Sequence, residues 1–494
     1  MVGDFALNGP SIPIRPAAVL LLALTLAGCA ALDPGGRKAE LPAVPTAAPR
    51  TTGVDTPNAS EHKRLVALFG GEFRSAATEL YLNGVLARLA LTAETPTEAY
   101  RVTILNTPLV NAFALPSGNL YVTRGLLALA NDSSEIAAVM AHEISHVTAR
   151  HASQRAELER NAAVISKAAA LIQSRQKGEE AQASGRMSLA SFSRQQELEA
   201  DQIGVRTIAR AGYDPYGAAR FLTSLGRASS LRASLFGQKA GEDQPDILAT
   251  HPSTPERVRQ ATAAARQLGA PGLGLSARDE YFNAIDGLDF GDDPSEGFVR
   301  GRSFVHPKLG FTFSAPEGFV LENSAQALLG IASGGTQALR LDSISLSAGT
   351  PLETYIASGW MEGIDPNSIR PASLNGIPAA LARARGGDWH FRVAVMRFGD
   401  SVYRLIFATR NLTAAMDARF MESIESFRPL GSDGSQRTRP LRLKIVTASA
   451  GDTPALLARR MSVPEQQVEQ FLLLNGLEPN AALRPDERYK IVVE

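Results

Sequence analysis

The run His142-Glu143-Ile144-Ser145-His146 is the group of side chains in this chain best suited to metal chemistry. Four residues advance about 400° around an α-helix, so the two imidazoles stand about 40° apart on one face, where both can bind a single Zn²⁺. Glu143 follows the first imidazole, where its carboxylate can reach a water at the metal and take its proton. A hydrolytic zinc site needs a third protein ligand and a position left for water. His151 lies about half a turn around the helix from His142 and is read as pointing away from the site. Ala149 and Ala152 hold the positions that an extended HExxHxxGxxH motif would need, so the third ligand comes from another segment. Glu197 and Asp201 are four apart in the next suitable segment and share a helical face. One of these carboxylates can bind the metal while the other holds a ligand imidazole by its second nitrogen. Glu199 competes for the ligand role.

The elements that must hold these residues carry their own signals. Asp132 stands as N-cap before the metal helix, with Glu135 at the capping-box spacing. A second helical stretch carries Glu197 and Asp201 and ends at Gly212. Segment 109–123, with its Pro116-Ser117-Gly118 turn, reads as two short strands. Residues 62–92 have helical apolar spacing through Leu65, Leu68, Phe69, Leu80, Leu82, Leu86 and Leu89. The stretch 152–190 is longer than a plain connection needs and is expected to form a lid or helical hairpin over the cleft. Asp214-Pro215 opens a further helix, from which a polar loop leads to His251. His62, His306 and His390 have no partner motif nearby and read as structural or solvated.

HEISH followed by Glu197-x-x-x-Asp201, with Asn111-Ala112-Phe113-Ala114-Leu115-Pro116-Ser117-Gly118 upstream, resembles the gluzincin metallopeptidases that include the CAAX prenyl protease and HtpX-type proteases. The likeness spans roughly 60–265 and is strongest to their periplasmic, BepA- and LoiP-like branch. It implies His142, His146 and Glu197 as ligands of one zinc ion, Glu143 as general base and Asp201 behind the ligands. It favours Glu197 over Glu199. Thr250-His251-Pro252 also matches that branch, which implies His251 as a fourth, regulatory ligand that holds the enzyme latent. By the same resemblance Asn111, Ala112, Phe113 and Ala114 form an edge strand that pairs with an extended substrate backbone.

Arg15, the apolar stretch from Ala17 to Ala27, and Leu26-Ala27-Gly28-Cys29 have the layout of a leader, too short to span a membrane as a helix. LAGC resembles a bacterial lipobox, which implies removal of residues 1–28 and lipidation of Cys29, the chain's one cysteine. Ala30 follows rather than Asp, which favours the outer membrane of a Gram-negative envelope. Several acyl chains would make the attachment effectively stable. Residues 29–58 then read as anchor and disordered tether, rich in Ala, Pro, Thr and Gly. With 50 basic and 50 acidic residues, the charge balance gives no case for a nucleic-acid partner.

The expected architecture is multidomain. A mainly α-helical zincin catalytic domain with a small β-sheet occupies 59–268, and a Gly/Pro-marked linker covers 269–299. An α+β accessory domain spans 300–430, with a hairpin turning at Gly399-Asp400 and a closing helix over 413–427. Residues 440–494 resemble a LysM module of βααβ order, although Asp486 stands where that turn more often has Gly. This likeness implies binding of N-acetylglucosamine-containing glycan, hence peptidoglycan. The expected function is that of a lipid-anchored periplasmic zinc endopeptidase acting on unfolded or misassembled envelope proteins, in quality control of the outer membrane. Two alternatives stand beside it: a hydrolase of peptidoglycan cross-links, and a non-catalytic envelope chaperone or scaffold with a closed structural zinc site.

Overall fold

Gly70 and Gly71 divide the first helical stretch. The helical spacing over 62–92 is carried by two helices, α1 (Pro57–Leu68) and α2 (Ala76–Ala90), with both glycines at positive φ between them. A Cβ on Gly70 would lie 2.8 Å from the carbonyl oxygen of Asn106, so the break brings the chain against the sheet. The computed structural model describes residues 57–92, 100–154, 192–235, 251, 253–332, 335–431 and 439–494. The leader, Cys29, almost all of the tether, most of 152–190 and the loop before His251 lie outside the described residues.

A three-stranded sheet follows, built from β1 (Arg101–Leu105), β2 (Ala112–Ala114) and β3 (Asn119–Thr123) in the order β1-β3-β2. β3 runs parallel to β1 and antiparallel to β2, which leaves β2 at the sheet edge. After α3 (Arg124–Leu129) comes the metal helix α4 (Ser133–Thr148), buried from Ser133 through His146. Its apolar face, with Ile136, Met140 and Ile144, joins one core with Leu82 and Leu86 of α2 and Leu120 and Val122 of β3. Each such burial contributes roughly 1.5–3 kcal/mol. Asp132 caps α4 by accepting from the Glu135 amide at 3.0 Å. The reciprocal arm differs from a full capping box, because Glu135 accepts from the amide of Asn131 at 2.9 Å.

Helix α5 (Arg194–Arg210) lies against α4, followed by α6 (Gly217–Leu235) and α7 (Pro255–Leu268). Ser193 and Gln196 close a full capping box at the start of α5. The segment 269–299, read from sequence as a linker, carries α8 (Arg278–Ile285) and β4 (Asp289–Phe290); Tyr281, Phe282 and Ile285 pack into the same core as α2 and α4.

The next region is antiparallel. Strands β5 (Phe298–Arg300), β6 (Ser303–His306) and β7 (Phe311–Ser314) form a four-stranded sheet with β15 (Arg428–Pro429). The larger sheet holds β8 (Phe319–Asn323), β9 (Leu328–Ala332), β10 (Gln337–Ile344), β11 (Arg370–Leu374), β12 (Ile377–Gly386), β13 (Trp389–Phe398) and β14 (Ser401–Thr409). Its order is β11-β12-β13-β14-β10-β9-β8. Phe398 pairs with Ser401, so Gly399-Asp400 is the two-residue turn. Strand alternation sends Ala394 and Met396 to a core shared with Phe420 and Ile424 of α10 (Ala414–Glu425). Val393 and Val395 face a second core with Leu352 and Ile356 of α9 (Leu352–Ala357).

The C-terminal segment has βααβ order: β16 (Leu441–Thr447), α11 (Pro454–Ala458), α12 (Gln467–Leu474) and β17 (Arg488–Val493). β16 lies between β17 and β4, and Leu443, Leu457, Phe471 and Ile491 belong to the same apolar core as the metal helix. Asp486 has φ +63°, the left-handed conformation that explains why glycine suits that turn. No helix among the described residues is long and apolar enough to cross a membrane.

Candidate metal centre and cleft

The close approach of α5 to α4 builds the site. Glu197, Asp201 and Gly204 fall at i, i+4 and i+7 on one face of α5. A Cβ on Gly204 would sit 3.3 Å from the backbone nitrogen of His142, so the missing side chain is what lets the carboxylate face reach the histidines. His142, His146, Glu197 and His251 then offer donor atoms all within 4.8 Å of one another. Nε2 of His142 is 3.1 Å from Nε2 of His146 and 3.4 Å from a Glu197 carboxylate oxygen. The other Glu197 oxygen is 3.6 Å from His146 Nε2. Nδ1 of His251 lies 3.4 Å from His142 Nε2 and 2.8 Å from Glu197.

These separations fit a metal ion. Tetrahedral ligands at zinc-like bond lengths stand about 3.3 Å apart, and imidazole with carboxylate is a zinc-type donor set. The second nitrogens are committed elsewhere: His142 Nδ1 lies 2.9 Å from Asp201, and His146 Nδ1 lies 2.9 Å from Nδ1 of His151. With protons on those outer nitrogens, two Nε2 lone pairs face each other, and a cation between them removes the repulsion.

Electrostatics agree with that reading. Burial penalises a charged His142, but hydrogen bonds to Asp201 and Glu197 outweigh it and push the imidazole up to about 10. The same negative field that favours a proton there favours a metal ion in its place. Burial, with the charges of His142 and His251, holds His146 far below the ordinary imidazole range. Glu197 stays ionised, because hydrogen bonds from His142 and His251 overcome the cost of burying it. Burial raises the Glu143 carboxyl above its ordinary range, against the pull of His251 and His142. Its oxygen is 3.7 Å from Nε2 of His251.

Three neighbours of the site were not legible in the sequence. Arg257 of α7 is buried and reaches Glu197 at 2.8 Å and both Asp201 oxygens at 2.7 and 2.8 Å. Phe192 stacks on the His146 ring with centroids 4.0 Å apart. His151, expected to point away, touches His146: α4 ends at Thr148, and Arg150 at φ +57° turns the chain back. Glu199 is directed to His151 rather than to the metal donors. Beside His142 and Glu143 opens a cavity of about 70 Å³, walled by Val110, Val139, Phe221, Leu222 and Leu225. Asn111 and Ala112, the latter the first residue of edge strand β2, also line it.

The class is given by comparison with known proteins: residues 76–265 match peptidase family M48. The donor cluster of His142, His146 and Glu197 falls inside the matched region, so this part of the chain is similar to metallopeptidases of that family. Among relatives, the chain is 32% identical over 211 residues to the beta-barrel assembly-enhancing protease of Escherichia coli, covering 41% of each protein. It is 33% identical over 161 residues to the mitochondrial metalloendopeptidase OMA1 of Arabidopsis thaliana, covering 33% of this chain and 30% of that one. The OMA1 of Schizosaccharomyces pombe is 30% identical over 192 residues, 37% of this chain and 52% of that protein. The chain thus spans about two fifths of the length of the first of these relatives.

Proposed function

We propose that this chain is a zinc-dependent endopeptidase of the bacterial envelope that cleaves extended segments of unfolded or misassembled outer-membrane proteins. The observation that carries the reading is the convergence of His142, His146 and Glu197 beside the buried Glu143, at the end of an apolar cavity next to an edge strand. His142, His146 and Glu197 would hold the ion. When bound, the ion supplies Lewis-acid chemistry, polarising a peptide carbonyl and making water more acidic. Glu143, its proton affinity raised by burial, accepts the proton of the attacking water and delivers it to the leaving amine. Asp201, held by Arg257, fixes the His142 ring. Residues 111–114 would pair with the substrate backbone, since β2 has β3 as its only strand neighbour among the described residues. The neighbouring cavity suits an apolar side chain, because its walls offer few hydrogen-bonding groups.

His251 adds a fourth donor and so closes the position that water needs. In this reading His251 keeps the enzyme latent, and its displacement opens the site. The similarity to bacterial beta-barrel assembly-enhancing proteases supports a role in outer-membrane protein assembly. The lipobox-like LAGC supports a lipid anchor at Cys29 on the periplasmic face of the outer membrane, and the βααβ segment supports a contact with peptidoglycan. Purified protein should cut an unfolded outer-membrane β-barrel protein in a chelator-sensitive way and leave isolated sacculi undigested. Release of cross-linked peptides from sacculi, with the barrel protein intact, would favour the cross-link hydrolase instead.

A further inference from the structure

The geometry points to His151 as a positioning residue that selects the metal-binding tautomer of His146. The inference rests on the reading of His146 as a ligand. His151 is completely buried, and its Nδ1 lies 2.9 Å from Nδ1 of His146. One proton must lie between these two nitrogens. If His146 carries it, His146 Nε2 is a free lone pair aimed at His142 and Glu197, which is what a ligand requires. If His151 carries it instead, the proton of a neutral His146 sits on Nε2, inside the donor cluster, and ligation is blocked.

The outer side of His151 decides between the two. Its Nε2 faces a carboxylate oxygen of Glu199 at 3.4 Å. A carboxylate only accepts, so it favours the proton on His151 Nε2 and leaves Nδ1 as the acceptor for His146. One assignment therefore satisfies every contact: His146 Nδ1–H donates to His151, and His151 Nε2–H donates to Glu199. Glu199 is half exposed, so His151 carries most of the effect and Glu199 biases it from the surface. The two ligand histidines are thus oriented by different devices. His142 meets a carboxylate directly, and His146 meets one through an imidazole.

The segment is anchored for this task. Residues 151–154 resume helical structure after the turn at Arg150, and the Gln196 amide of α5 donates to Gln154 at 3.0 Å. Phe192 covers the face of the His146 ring, so the imidazole has little freedom apart from its hydrogen bond.

Two variants of similar size separate this role from simple packing. In His151→Asn the side-chain oxygen falls near the position of Nδ1 and can still accept from His146. In His151→Gln the amide reaches toward the position of Nε2 and the acceptor is lost. Zinc affinity of the full chain, by competition with a chromophoric chelator, should stay within about threefold of the parent for His151→Asn and weaken about 10- to 100-fold for His151→Gln. The visible spectrum of the cobalt-loaded protein should change in His151→Gln only. Equal affinities and spectra for both variants and the parent, or equal weakening in both, would overturn the assignment while leaving the metal site in place. Failure of the parent itself to bind zinc, with His142→Ala unchanged from it, would remove the metal-site reading as well.

Discussion

Arg257 neutralises two carboxylates at once, and its loss should be felt at both the metal and the fold. It is buried, and its guanidinium touches Glu197 on one side and Asp201 on the other. Breaking a buried pair costs about 3–5 kcal/mol, because the remaining charge stays uncompensated. Arg257→Met is expected to lower the unfolding free energy by about that amount in denaturant titrations, and to weaken zinc binding. His251→Ala should act oppositely on function: turnover of an unfolded protein substrate rises, since a donor that competes with water is removed. A His251→Ala variant no more active than its parent would contradict latency. At this scale helical spacing picks out the HEISH motif and the shared face of Glu197 and Asp201, while the preference for Glu197 over Glu199 comes from the family resemblance. Arg257 and His151 could not. Burial of an arginine and a reversal at Arg150 are tertiary facts without a local pattern.

Between elements, the contact of α4 with α5 is set at Gly204, which sits against the backbone of His142. Gly204→Val would push the helices apart and separate Glu197 from the histidines. We expect a loss of zinc affinity together with a lower melting temperature, both read on the same sample; a variant with parental affinity would show that the spacing has slack. The Asp132 cap of α4 was readable because it stands immediately before an apolar-periodic run. The spacing over 62–92 does not itself place the break at Gly70-Gly71, where both glycines take positive φ. The hairpin at Gly399-Asp400 was readable because two residues of turn chemistry separate two long apolar strands.

Across the whole molecule, the apolar cores divide the chain differently from its sequence segments. The C-terminal βααβ segment shares its core with the peptidase, and the Lys490 ammonium is buried against the carbonyls of Ala128 and Ala130, at 2.7 Å each, where α3 ends. The antiparallel region has cores of its own. Scanning calorimetry should therefore show the peptidase and C-terminal segments melting together and the 298–429 region as a separate transition. The second transition should respond to acid. Burial, with Lys308 nearby, lowers His306 from 6.5 to about 4, and its Nδ1 accepts from the Leu309 amide. Unfolded chains take up this proton below about 6.5 while the folded domain stays neutral, so stability is full above that pH and falls as pH drops toward 4. His306→Gln should flatten the dependence. None of this shared packing has a sequence signature, since β4 and β16 pair across some 150 intervening residues.

The most direct test of the account is cleavage of an unfolded outer-membrane barrel protein by the parent and by Glu143→Gln, with zinc content measured on both. Full zinc occupancy is expected in each, with turnover in the variant reduced by at least about 10²-fold, as for loss of a general base. Equal turnover with equal zinc would contradict the role assigned to Glu143 and the hydrolytic mechanism built on it.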